Sequence, residues 1–65
     1  MKTRNELTEI RTAAGYTQKQ LAEKAAIGLS TVIKWEKGGS VRPSSDKAIR
    51  DAILTIYNET PTLMF

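Results

Sequence analysis

Apolar residues recur along the chain at three- and four-residue spacing, the mark of helix faces turned to a common core. Leu7, Ile10 and Ala14 form one such face, and Leu21, Ala22 and Ala25 a second. The spacing breaks at Ala26, Ile27 and Gly28 and resumes on a new face with Val32 and Trp35. A longer set follows at Ala48, Ile49, Ala52, Ile53 and Ile56, extending to Tyr57. No alternating apolar and polar run reaches strand length and no segment repeats, so the pattern predicts an all-α domain.

Start and stop signals bound these segments. Thr3 and Glu6 have capping-box spacing, and Gly15 is placed for the left-handed turn that ends a helix, which predicts helix 1 over about Arg4 to Ala14. Thr17 and Gln20 repeat the box, with Tyr16 and Leu21 flanking it as a hydrophobic staple, and open helix 2 over about Gln18 to Ala25. Helix 3 runs from about Leu29 to Lys37 and stops at Gly38-Gly39. Pro43, Ser44, Ser45 and Asp46 supply a stop, a cap and an acidic first turn for helix 4, and Pro61 ends any continuation.

Composition narrows the function. Sixty-five residues predict a single domain over 1–65, near the size where one core only just holds a fold. The chain has no Cys and no His, which excludes disulfides, thiolate or imidazole metal sites and catalysis by either residue. With no phosphate-binding glycine loop and little chain for a pocket, neither an enzyme nor a cofactor is expected. The Met1 end lacks the apolar stretch of a signal peptide, and no apolar run is long enough for a membrane, so the expected location is the cytoplasm. The net charge of +3 is unevenly placed. Between Gly15 and Pro43, Lys19, Lys24, Lys34, Lys37 and Arg42 outnumber Glu23 and Glu36, whereas the rest of the chain balances. That segment suits an anionic partner, although charge alone fits a solvated basic surface equally well.

Two short helices joined by a turn of about three residues, the second ending in glycine, form a helix-turn-helix layout over about residues 17–37. The tight crossing needs a small residue in helix 2, supplied by Ala22, and wedge-filling apolar ones at Leu21, Ala25, Ile27, Val32 and Trp35. The remaining face of helix 3, with Leu29, Ser30, Ile33, Lys34 and Lys37, is left pointing outward, where it can enter a DNA major groove.

From Leu7 to Pro43 the chain resembles the Cro and phage-repressor, or XRE, helix-turn-helix proteins. The resemblance is carried by Ile10-Arg11, Gly15-Tyr16-Thr17-Gln18, Leu21-Ala22-Glu23-Lys24, Ser30-Thr31-Val32, Trp35-Glu36-Lys37-Gly38 and Arg42-Pro43. It implies a compact lambda-repressor-like domain of four to five helices. Its partner would be a double-stranded DNA operator in the nucleoid of a bacterial or phage-infected cell, and its role that of a phage-type repressor. It further implies an ion pair between Arg11 and Glu36. Phosphate contacts are implied at Thr17, Gln18 and Lys19 and again at Lys37, Ser40 and Arg42, each of which is also an ordinary residue for a solvated surface. Base reading falls to Leu29, Ser30, Ile33 and Lys34. Lys34 suits guanine and the apolar pair suits thymine methyls, unless Leu29 or Ile33, where the family more often has polar residues, turns inward or Ser30 merely supports the helix start. Three further departures stand out: Ala26 where the family often has glycine, a loop from Gly38 to Pro43 one residue longer than usual, and a helix 4 that runs on without a break.

One recognition helix reads only a few base pairs, so a dimer spanning a pseudo-palindrome is expected, with its two helices about 34 Å apart. Residues 44–65 are the candidate dimerisation region, through Ile56, Tyr57, Leu63, Met64 and Phe65, unless the apolar tail frays or folds onto its own core. A competing reading is an antitoxin-like or protein-interaction module that binds DNA only weakly and without sequence preference. RNA is disfavoured, because the few aromatics form no stacking platform.

Overall fold

In a computed structural model, which describes residues 3–59, the chain forms α1 (Arg4–Ala13), α2 (Gln18–Ala25), α3 (Leu29–Glu36) and α4 (Pro43–Glu59). No strand occurs among the described residues. Thr3 Oγ1 accepts from the Glu6 N–H at 3.2 Å and starts α1. At α2 both arms of the box close: Thr17 Oγ1 accepts from the Gln20 N–H at 3.0 Å, and Gln20 Oε1 accepts from the Thr17 N–H at 2.8 Å. Each device satisfies donors that a helix start otherwise leaves unpaired.

The first three helices end alike. Gly15 donates to the Thr12 carbonyl and Tyr16 to that of Arg11; Ala26 donates to Glu23 and Ile27 to Ala22; Gly38 donates to Trp35 and Gly39 to Lys34, all at 2.9 to 3.2 Å. These are the paired backbone bonds of the Schellman motif, which needs a left-handed residue at its pivot. The pivots have φ of +80° at Gly15, +87° at Gly38 and +58° at Ala26. Only the last carries a Cβ, against which the left-handed conformation costs roughly 1–2 kcal/mol. Ala26→Gly relieves that strain while adding about 0.4–1 kcal/mol of unfolded-chain entropy. The variant is therefore expected to be neutral or up to ~1.5 kcal/mol more stable, read as a Tm raised by as much as about 10 °C. A clear fall in Tm would contradict the strain.

Three boundaries differ from expectation: α1 ends at Ala13, one residue early, with Ala14 as its cap. α3 ends at Glu36, one residue early, because Lys37 already serves as its cap. α4 begins at Pro43 rather than beyond it. Proline suits a first helical position, where its fixed φ is helical and its missing N–H is not needed, and the Asp46 N–H then closes the first turn on the Arg42 carbonyl at 3.0 Å.

α4 packs against both α1 and α2 while α2 crosses α3, so the four helices enclose one core. It consists of Leu7, Ile10, Leu21, Ala22, Val32, Trp35, Ile49, Ala52, Ile53 and Ile56. Ala14, Tyr16, Ala25, Ile27 and Val41 pack half-buried at its edge. Helices of eight residues such as α2 and α3 are not stable alone, so this packing is what holds them. Ile56, expected among the interface candidates, is 0% exposed in this core and is thereby excluded from a surface role. Its spacing from Ile49, Ala52 and Ile53 puts it on the inward stripe of α4. Tyr57, expected at the edge of the core, is instead exposed, as is its neighbour Leu54. Leu63, Met64 and Phe65 lie outside the described residues.

Candidate nucleic-acid interface

The placement of α3 rests on a set of polar links to its last turn. Arg11 of α1 grips Glu36 with two bonds, Nε to Oε2 at 2.8 Å and Nη2 to Oε1 at 3.2 Å. Gln18 Nε2 adds a third donor to Glu36 Oε1 at 3.0 Å, and Arg11 Nη1 donates to the Tyr16 carbonyl. One carboxylate thus joins α1, α2 and α3, with the two charged side chains only 13% and 8% exposed. A two-bonded arginine fixes orientation as well as distance.

Trp35, one residue earlier, is held from the other side. Its indole Nε1 donates to Asp46 Oδ1 of α4 at 2.7 Å, and Arg50 Nε donates to the other oxygen of Asp46 at 2.9 Å. The guanidinium groups of Arg4 and Arg50 lie 5.4 and 5.8 Å from the ring centroid, within cation–π range. Arg4 Nη1 also donates to the carbonyls of Trp35, at 3.1 Å, and Gly39, at 2.8 Å. Sequence reading missed Arg4, Asp46 and Arg50 in these roles.

The indole N–H, followed by the Arg50 guanidinium, holds the Asp46 carboxyl below the usual range for an aspartate, against the opposing effect of burial. A depressed folded-state pKa stabilises the fold above the unfolded value near 4 and loses that contribution as pH falls through the folded value. Asp46→Asn is expected to lower Tm at pH 7 yet to lose less on acidification to pH 3 than the parent does. Parallel losses in the two proteins would refute the assignment.

With Val32 and Trp35 inward, the outward face of α3 shows Ser30 and Lys34 exposed, Leu29 40% exposed and Ile33 half-buried. Ser30, Ile33, Lys34 and Lys37 follow the i, i+3, i+4, i+7 order of a single stripe. Gly28 caps this helix without any side-chain hydrogen bond, so Ser30 is not engaged as a cap. Ser30 and Lys34 share an open depression with Ser40 and Arg42 of the following loop. Thr31 and Ser45 line it too; the sequence marked the first only as part of the family motif and the second only as part of the helix 4 start, and neither as a contact residue. Lys37 and Ile33 border a second depression beside it.

The Gln18–Glu36 bond sets the N-terminus of α2 next to the end of α3. Leu21 makes the first backbone bond of α2, to the Thr17 carbonyl, so the N–H groups of Gln18 and Lys19 precede the internal ladder. Such a terminus is suited to a phosphate. Thr17 and Lys19 are exposed, and Gln18 is half-buried with its side chain on Glu36. Lys24 of the basic segment is tied to Glu59 at 3.0 Å. Lys19, Lys34, Lys37 and Arg42 remain as exposed cations of that segment.

A family model described as helix-turn-helix matches residues 7–50, from the first core leucine of α1 to the middle of α4. No curated protein and no solved structure matches the chain. No helix among the described residues is long and apolar enough to cross a membrane.

Proposed function

The chain belongs to the helix-turn-helix family of the Cro and phage-repressor (XRE) type, DNA-binding regulators of transcription, and on that premise we propose that it is a phage-type repressor. It lays α3 in the major groove of a pseudo-palindromic operator and binds as a dimer. The observation that carries this reading is the exposure of Ser30 and Lys34 on a helix whose opposite face, Val32 and Trp35, is 0% exposed. Side chains on a rigidly backed helix reach base edges in a fixed register.

Lys34 donates to guanine O6 or N7, Ser30 to either pair, and Leu29 and Ile33 pack on thymine methyls. Thr17, Gln18 and Lys19 hold one stretch of backbone, and Lys37, Ser40 and Arg42 a second. The dimer forms through the exposed Leu54 and Tyr57 of α4 together with Leu63, Met64 and Phe65.

Selection of bound duplexes from a random pool, at a stated salt concentration, tests the whole reading. An inverted repeat with half-sites one helical turn apart is the expected product. Recovery of no preferred sequence, with affinity that simply collapses as salt rises, would instead favour the protein-interaction module.

A further inference from the structure

We infer that Gly39, anchored by Arg4, is a positioning residue for the side chain of Lys34 and so a determinant of which operator bases are selected; this rests on the reading of Lys34 as a base contact. The two glycines after α3 are needed for different reasons. Gly38 has φ of +87°, with nothing near its missing side chain. Gly39 has no such backbone requirement, yet a Cβ placed on it would lie 2.6 Å from Lys34 Cγ, 3.3 Å from Lys34 Cε and 3.1 Å from the Lys34 carbonyl oxygen. The stem of the lysine thus lies flat on the Gly39 backbone, in the room a side chain would take.

That backbone is fixed on both sides. Its N–H donates to the Lys34 carbonyl at 2.9 Å, and its carbonyl accepts from Arg4 Nη1 at 2.8 Å. Arg4 is itself held by the Trp35 carbonyl and the indole ring. An added methyl at residue 39 therefore displaces the lysine stem, while its contact with the Lys34 carbonyl oxygen asks the turn to give by only a few tenths of an ångström. Lys34 borders both depressions of the α3 face, so a displaced stem moves its ammonium relative to the rest of that face. A long flexible side chain that rests on a fixed surface also has fewer rotamers to lose when it meets a base.

The test measures affinity for the selected operator and for duplexes altered at the guanine assigned to Lys34, using the parent protein, Lys34→Ala, Gly39→Ala and the double variant. Lys34→Ala is expected to reduce discrimination at that base by about tenfold. Gly39→Ala should lose about threefold or more at the same base only, with unchanged helicity and salt slope. The double variant should be no worse than Lys34→Ala. In the free parent protein, nuclear Overhauser contacts should link the Lys34 methylenes to the Gly39 Hα. If Gly39→Ala loses helicity, Arg4→Gln replaces it, since it frees the Gly39 carbonyl without adding a methyl; because Arg4 also holds the Trp35 carbonyl and ring, a loss confined to the base assigned to Lys34 is the expected result and an equal loss at every base would overturn the inference. Full discrimination by Gly39→Ala, or independent losses that add in the double variant, would overturn the inference while leaving Lys34 as a base contact. Unchanged discrimination by Lys34→Ala would remove that base contact, and the inference with it.

Discussion

Replacing Arg11 with alanine is expected to destabilise the fold by about 3–5 kcal/mol, far beyond the 0–1 kcal/mol typical of a surface ion pair. The difference comes from burial. Glu36 is 8% exposed and would keep a single donor, Gln18, after losing both bonds from Arg11. An ionised carboxylate left in that position has lost its water as well as its counter-charge. Helical signal at 25 °C, followed by circular dichroism, reads the effect, since a loss of this size leaves little folded protein in so short a chain. Exchange of both residues for methionine should cost much less than Arg11→Ala alone, because the apolar pair leaves no stranded charge. Equal losses in the single and double variants would show that packing by the arginine stem, and not the pairing, holds the three helices together.

Trp35→Ala is expected to be the other most damaging substitution, at about 3–5 kcal/mol for an emptied tryptophan site. A core in a chain this short seldom supplies more than ~3–5 kcal/mol in total, so the variant should be largely unfolded at 25 °C. Trp35→Phe separates the ring from its polar end. It keeps most of the packing but strips Asp46 Oδ1 of the indole donor, a bond to a charged group worth about 1.5–3 kcal/mol. Chemical denaturation monitored by circular dichroism should place Trp35→Phe between the parent and Trp35→Ala. If Trp35→Phe matched the parent, the indole N–H would contribute nothing.

The helices were legible because their signals are local. Thr17 and Gln20 stand three residues apart and bond to each other's backbone; Gly15 and Gly38 mark pivots that favour glycine. The Arg11–Glu36 pair was reached through the family resemblance, not through spacing. Arg4 and Asp46 were out of reach because their partners lie far along the chain. Trp35 is separated by 31 residues from the first and by 11 from the second, and no periodicity links them. Ile56 shows the limit of a different signal: an apolar residue late in a helix reads equally as core or as interface until the crossing of α4 over α1 and α2 is known. Ile33 was left open between base and core, and its half-buried state is compatible with a share in both.

The two ends of α3 are held very unequally. Its last turn is closed by the bonds of Gly38 and Gly39, the hand of Arg4 and the grip on Glu36, whereas its first turn starts at Gly28 with no side chain over it. Polar links tie the helix at its end and the core packing of Val32 holds it nearer its start, and on the proposed reading the end without a side-chain cap is the one turned to the bases. Amide exchange should record the same asymmetry, with protection rising from Thr31 toward Gly39.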